Sequence, residues 1–474
     1  MIRLNSVLRI LVFPFLAALV VTGWQILKLP IVEPVQDEVA YLSVSRALSR
    51  EGIFSDGLMN VSSSETKPGR FFTPAYPLLI TIVSKLDAGF QMSVECHGRR
   101  GTQCGGSLRG LVVAQAVLAT MTGLFIFLTA SRLSESEIVG WLTMCAALAT
   151  GEFSHWATRY MTETLAFTAL FAFLYFLVRS YLDQSPAAAF LAGFAIGIAT
   201  LTRPIYLYPY YVMLVIAPLA LYVGGRASLR TSLSFGILFA AGGAALILPW
   251  ALRNFHHFGD LALTKGYAEL GLVQRLGYNI ISWKEVGVAA IAWIPGAGQP
   301  LVELLFPPEL YQRVGTSAYS DFEPLYVYKG ELFERTLAAA GGPDKHLKYL
   351  LSTHVLGDLP KHLVVSVLLA IRGMWVGKYL AFAGMACLAP AAAVMYRRGR
   401  LTPFLLFLIP LLLLSFLYGF ISTSIFRYHV PIIAAYSFAV ALCGAVAVGY
   451  LRSSGAFRLR SDAMRIVFRK PARP

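Results

Sequence analysis

The chain has 474 residues, of which 57% are hydrophobic, 13% aromatic and only 14% charged. Soluble proteins carry about a quarter charged residues, so a water-soluble globular enzyme, a disordered chain and a fibre are excluded; at roughly 20 apolar residues per span, the composition supplies about ten membrane helices. The net charge of +15 would suggest nucleic acid in a soluble chain, but here its placement points to a membrane surface.

In chain order, apolar runs lie at 8–29, 108–130, 138–150, 164–178, 187–201, 205–223, 231–250, 374–396, 401–420 and 430–450. The expectation is an all-α polytopic membrane protein of about ten transmembrane helices with two long outward-facing segments. The first run exceeds a signal-peptide core and no small-x-small cleavage site precedes Lys28, so it reads as a retained anchor. The predicted organisation is a first helix (1–29), a first outer segment (30–106), helices two to seven (107–250), a long outer loop (251–363), the last three helices (364–451) and a basic tail (452–474).

Charge sets the orientation. With the N-terminus inside, the short cytoplasmic segments and the tail hold sixteen Lys and Arg, against three in the short outer loops (Arg159, Arg203, Arg427). This asymmetry predicts both termini on the cytoplasmic side. The long outer segments are nearly neutral, with seven basic against eight acidic residues in 30–106 and ten against eleven in 251–363. The basic excess, tail included, therefore meets anionic lipid headgroups, and no nucleic-acid partner is expected.

Cys145, Cys387 and Cys443 fall in apolar runs and read as packing residues. Cys96 and Cys104 lie in the outer loop ECHGRRGTQCGG, where an oxidising exterior favours a disulfide. A zinc site that adds His97 is the sharper alternative, on irregular spacing.

Ionisable groups are costly in hydrocarbon, and apart from Arg372 and Lys378 near the eighth span they lie at helix ends, with a distinct set on the outer side. Asp37 and Glu38 follow helix one, with Tyr41 four residues on and on the same helical face as Asp37. Arg159 and Glu163 lie between helices three and four, Arg203 between five and six, Arg253 and Asn254 after seven, and Arg427 and Tyr428 before ten. Each arginine alone could snorkel to headgroups, and the acids could cap helices. Taken together they suit transfer of a sugar from a phosphate leaving group. A carboxylate deprotonates or orients the acceptor hydroxyl, and guanidinium forks receive the phosphate.

Several segments resemble one superfamily. PVQDEVAYLSVSRAL at 34–48 is similar to the acidic first-loop motif of the C-type (GT-C) membrane glycosyltransferases, particularly the dolichyl-phosphate-mannose protein mannosyltransferase and aminoarabinose lipid A transferase group. TPAYPLLITIVSKL at 73–86 resembles its Pro-rich start of a membrane-associated helix. RYMTETLAFTALFAFLYFLVR at 159–179 resembles its second acidic position, and LTRP at 201–204, LPWALRNFHHFGD at 248–260 and FRYHVP at 426–431 resemble its later motifs. The resemblance implies inverting transfer of one sugar from a polyprenyl-phosphate donor to a glycan, lipid or protein acceptor at the outer face of the inner membrane. It implies Asp37 as catalytic base, Glu163 as second acid, Glu38 and Tyr41 as support, and Arg203, Arg253 and Arg427 as phosphate ligands. Some relatives hold a divalent cation near these acids, and that point stays open. One departure is Thr73, where aminoarabinose-transferring relatives carry a phosphate-binding lysine; Lys67 or Arg70 are the substitutes at hand. The rival readings are a transporter or lipid flippase, and a polysaccharide ligase that uses a diphosphate-linked glycan.

Overall fold

A computed structural model describes residues 8–57, 66–99, 104–312, 314, 331–332, 334–336, 338–342, 345–422 and 424–453. Most of the basic tail lies outside these residues. The helices that organise the chain are α1 (Phe13–Lys28), α2 (Asp37–Glu51), α3 (Ala75–Leu86), α4 (Ala88–His97), α5 (Arg109–Ser134), α6 (Glu137–Ala149), α7 (Glu152–Ala157), α8 (Glu163–Asp183), α9 (Pro186–Thr202), α10 (Leu207–Val223) and α11 (Leu229–Phe258). There follow α12 (Tyr267–Leu276), α13 (Trp283–Ala292), α14 (Gly298–Leu305), α15 (Leu359–Met374), α16 (Tyr379–Arg397), α17 (Leu401–Ile421) and α18 (Ile432–Ser453). The protein is an all-α polytopic membrane protein, with no strand among the described residues.

Nine described helices are long and apolar enough to cross a membrane. They differ from the ten expected runs in three places. The runs at 138–150 and 187–201 form helices of 13 and 17 residues, which at about 1.5 Å per residue fall short of a roughly 30 Å hydrocarbon core. The first of these is prolonged by a turn at Gly151, whose φ of 75° suits glycine, into α7. The third difference is His346–Met374, apolar over 29 residues, most of which the sequence reading assigned to the long outer loop. Its His, Ser and Lys residues dilute the apolar signal there.

By contacts the chain forms two compact units, one made of the described residues up to Leu263 with Tyr379–Pro410 and those from Ile433 on, the other of Thr264–Lys378 and Leu411–Ile432. In the first unit, small and hydroxylated residues let the helices approach closely. Thr22 pairs with Thr120 at 3.0 Å across α1 and α5, and Thr122 with Thr168 at 2.9 Å across α5 and α8. Gly193 and Gly242 face the backbones of α11 and α9, where a side chain would collide with a carbonyl. Such close contacts replace the hydrophobic drive that lipid abolishes.

Alternate helix ends in this unit carry different chemistry. At one end Arg132 pairs with Asp183 at 3.0 Å, Gln184 donates to the Arg226 carbonyl at 2.7 Å, and Arg400 reaches both the Arg132 carbonyl, at 2.7 Å, and Glu135. These turns are the ones the charge asymmetry predicts to be cytoplasmic. The opposite end holds the segments that lead into α2, α8 and out of α11.

Candidate active site

The site grows from the start of α2. Gln36 precedes it at φ 45°, ψ −113°, an unusual backbone for a residue with a Cβ. The two adjacent acids then separate in role. Asp37 is exposed, while Glu38 is 2% exposed. The Glu38 carboxylate accepts from the Val35 amide at 2.9 Å, as first-turn acids do when they close a helix start. It also accepts from the Tyr160 amide at 3.2 Å and pairs with the Arg159 guanidinium at 3.1 Å. Glu38 therefore ties the loop before α2 to the loop before α8.

Glu163 begins α8 and is fully buried. Arg203, where α9 ends, donates to its carboxylate at 2.8 Å and is itself 8% exposed. An acid at a helix N-terminus is favoured by the helix dipole, and the guanidinium offsets the cost of burying it. Gln115 fixes the intervening loop, donating to the Ala157 and Arg159 carbonyls at 3.1 and 2.7 Å and accepting from the Tyr76 hydroxyl at 3.1 Å. The Tyr76 phenol lies within electrostatic reach of Glu163, Tyr41, Glu38 and Tyr160 together. Tyr41 packs on Phe72 and Tyr76 with ring centroids 4.8 and 5.3 Å away. Glu38, Tyr41, Arg159, Glu163 and Arg203 are thus brought into one neighbourhood. The buried hydroxyl of Tyr160 has no hydrogen-bond partner among the described residues, and burial with the nearby Glu38 carboxylate pushes its phenol upward.

A second group stands on the same aromatic core, which runs through Tyr41, Phe54, Phe72, Tyr76, Tyr160 and Trp250. Arg253 donates to the Gly69 and Phe54 carbonyls at 2.6 and 2.9 Å and to the Asn254 side chain at 2.9 Å, with its guanidinium 4.8 Å over the Trp250 ring. Buried Asn254 donates to the Ala262 carbonyl at 2.8 Å. Arg70 pairs with Asp260 and lies 4.5 Å over Phe258. Gly69 is required, because a Cβ there would overlap Asp56. Asp56 accepts from the Phe71 amide at 2.6 Å. Burial pushes its carboxyl above the ordinary range, against the pull of the Phe71 and Arg70 amides and of the Arg253 and Arg70 guanidiniums. Thr73 is buried, and Lys67 is exposed.

Arg427 and Tyr428 belong to the other compact unit. There Arg427 donates to the Tyr428 hydroxyl at 3.2 Å, and Tyr428 stacks on Tyr418 at 4.4 Å. Cys96 and Cys104 form a disulfide, and His97 of the zinc alternative pairs with Glu33 at 3.2 Å.

Sequence reasoning missed Gln115, Tyr76, Tyr160, Asp56 and Asp260. Gln115 carried a signal, as one of two side-chain amides, with Gln25, inside the apolar runs; Asp56 carried none. Among the described residues no group of three or more His, Cys, Asp and Glu is placed to hold a metal. Glu38 and Glu163 each already face a guanidinium. This donor set does not fit a divalent cation, and no step below runs through one.

No protein-family model and no curated protein matches the sequence. Solved structures do match its fold. The oligosaccharyltransferase of Archaeoglobus fulgidus, in complex with Zn and sulfate, aligns over 96% of this chain and 52% of its own, with a TM-score of 0.51 at 14% identity. The archaeal oligosaccharyltransferase AglB from Archaeoglobus fulgidus, in complex with an inhibitory peptide and a dolichol-phosphate, aligns over 96% and 53% with a TM-score of 0.50 at 14% identity. ArnT from Cupriavidus metallidurans bound to undecaprenyl phosphate aligns over 95% and 81% with a TM-score of 0.36 at 14% identity. The chain spans about half the length of the archaeal structures it matches. The fold is GT-C-like.

Proposed function

We propose that this chain is a glycosyltransferase that moves a monosaccharide from a polyprenyl-phosphate donor to a glycolipid, polysaccharide or protein acceptor by inverting displacement. The observation that carries the reading is the division of labour at the start of α2. On a GT-C-like fold, Asp37 stands exposed, while its neighbour Glu38 and the more distant Glu163 are buried against Arg159 and Arg203.

Asp37 takes the proton of the acceptor hydroxyl as its oxygen attacks the anomeric carbon. The bond from that carbon to the phosphate oxygen breaks, and polyprenyl phosphate leaves with one more negative charge. Arg159 and Arg203, oriented by Glu38 and Glu163, stabilise that charge. Arg70, Arg253 and Asn254 shape the rim, held by Asp260 and by backbone carbonyls. The basic helix ends face the cytoplasm of a plasma membrane, with both termini on that side, and the site opens to the outer face.

The test is Asp37→Asn, assayed in membranes with a purified polyprenyl-phosphate sugar, alongside mass spectrometry of envelope glycolipids and glycoproteins from a deletion strain. The expected loss of transfer is about 10²- to 10⁴-fold, the usual worth of a general base, in a protein that inserts normally. Undiminished transfer by Asp37→Asn would overturn the assignment. Dependence on a diphosphate-linked glycan instead would make the enzyme a polysaccharide ligase.

A further inference from the structure

α15 keeps its polar residues inside and leaves only apolar ones outside. Its exposed positions are Pro360, Leu363, Val364, Val367 and Ile371, all apolar. Its buried positions mix Val365, Leu369 and Ala370 with His362, Ser366 and Arg372. The period of the exposed set is helical, and Leu356, 64% exposed, extends it by two turns. A helix packed on a protein core in water shows the opposite arrangement, with apolar residues in and polar residues out.

The depth of this helix is fixed by what it packs on. Ser366 and Ala370 lie backbone to backbone against Gly419 of α17, where a Cβ would not fit. His362 meets Phe420 edge-on at 4.7 Å, and Ser424 donates to the Leu369 carbonyl at 2.8 Å. Buried Arg275 bolts the contact, donating to the Gly419 carbonyl at 2.6 Å, the His362 carbonyl at 2.9 Å and the Ser366 hydroxyl at 2.8 Å. Gly373 abuts His429. α17 and α18 are both long and apolar enough to span, and only residues 422–431 join them. α15 therefore runs along the turn where one span ends and the next begins.

Chain direction agrees. The turn after α16 lies at the basic helix ends, since Arg400 reaches Glu135 and Arg132, so α16 starts at the other end. α11 finishes at that other end too, beginning as it does beside the Arg226 turn. The intervening segment thus leaves and returns on one side, and among its described residues before His346 the helices α12, α13 and α14, of 10, 10 and 8 residues, are too short to supply a compensating crossing.

We infer that the apolar segment His346–Met374 does not cross the bilayer, and that the stripe Leu356, Leu363, Val364, Val367 and Ile371 of α15 and its approach lies against the lipid of one leaflet. The partner of this surface is the membrane interface itself, as for a helix lying in the interfacial plane. The inference does not depend on the proposed activity.

The experiment uses the full-length chain carrying Cys145→Ala, Cys387→Ala and Cys443→Ala, reconstituted in vesicles of phosphatidylethanolamine and phosphatidylglycerol. Single cysteines at Leu261, Gly357 and Tyr379 are treated with a membrane-impermeant maleimide. All three should react from the same side; reaction of Gly357→Cys and Tyr379→Cys from opposite sides would overturn the inference. Nitroxide labels at Leu363, Val367 and Ile371 should collide several-fold more with oxygen than with a water-soluble nickel chelate, and a label at Lys361 should not. Equal nickel access at the stripe would instead make it a water-facing or protein-covered surface and would also overturn the inference. Should this background fail to insert, a photo-crosslinking phenylalanine at Val367 in the otherwise unchanged chain replaces it. Lipid adducts by mass spectrometry then support the inference, and protein adducts alone refute it.

Discussion

Two buried arginines, one in each compact unit, show how the same side chain serves different ends. Arg203 lies 2.8 Å from the Glu163 carboxylate. Arg275 is wholly buried and donates to the Gly419 and His362 carbonyls, the Asn279 side chain and the Ser366 hydroxyl, all neutral acceptors. Burial lowers the Arg275 pKa to about 9. A guanidinium bound to a carboxylate can share its remaining N–H groups with a phosphate that arrives, because both are anionic forks. One whose four contacts belong to backbone and side chains of its own core has been spent on architecture. On the proposed function, chemistry and scaffold are separated by the kind of acceptor, not by the residue type or by burial.

The largest effect should come from breaking the charged pair. Glu163→Gln leaves Arg203 buried beside a neutral amide, and we expect a loss of about 3 kcal/mol in stability, as for other broken buried pairs, with at least a hundredfold loss of transfer. The double variant Glu163→Gln with Arg203→Met should recover most of the stability and none of the transfer. Thermal unfolding in detergent and donor turnover measure the two separately. Recovery of transfer by the double variant would make this pair a scaffold like Arg275 and erase the contrast.

Arg275→Met should cost about 2 to 3 kcal/mol, from carbonyls and hydroxyls left without their donor. In the protein that remains folded, the Michaelis constant for the donor should be unchanged. A selective rise in that constant would show that Arg275 acts on the donor after all.

The sequence could not have told these arginines apart. Arg203 follows a run of apolar residues and sits in the motif LTRP, so its place at a helix end was legible; that its partner would be Glu163, forty residues earlier, was not. Arg275 lies in a mixed segment, YAELGLVQRL, where nothing foretells full burial. The spans were legible because hydrophobic length is a one-dimensional property. That His346–Met374 is one apolar segment was not legible for the same reason, since polar residues that face inward look in sequence like residues that face water. The resemblance gave Asp37 and Glu38 different roles, and the fold shows the physical difference between them, an exposed acid and a buried tie.

A smaller effect concerns pH in the second unit. Burial lowers the pKa of His429 to about 3 from its ordinary 6.5, so the folded protein holds it neutral, with Nε2 2.8 Å from the Ser424 hydroxyl. The unfolded chain takes up the proton first as pH falls. The stability this group contributes is therefore full above pH 6.5 and is lost progressively as pH drops toward 3, by about 2 kcal/mol at pH 5. The difference in melting temperature between the parent and His429→Asn should shrink between pH 7.5 and 5. A constant difference would mean that the ring titrates alike in the folded and unfolded states.

The smallest effect on stability tests how far the charged-pair reasoning extends. Arg159 pairs with Glu38 as Arg203 pairs with Glu163, but its side chain is 28% exposed where that of Arg203 is 9%. Water screens it, and Glu38 keeps its bonds from the Val35 and Tyr160 amides when the guanidinium is gone. Arg159→Gln should therefore cost only about 1 kcal/mol in stability. Its effect on transfer should be larger than that cost, with a raised Michaelis constant for the donor, because partial exposure is what lets a guanidinium meet a ligand. If stability and donor affinity both stayed at parental values, Arg159 would be a surface charge, and the phosphate would have to be met by Arg203 without it.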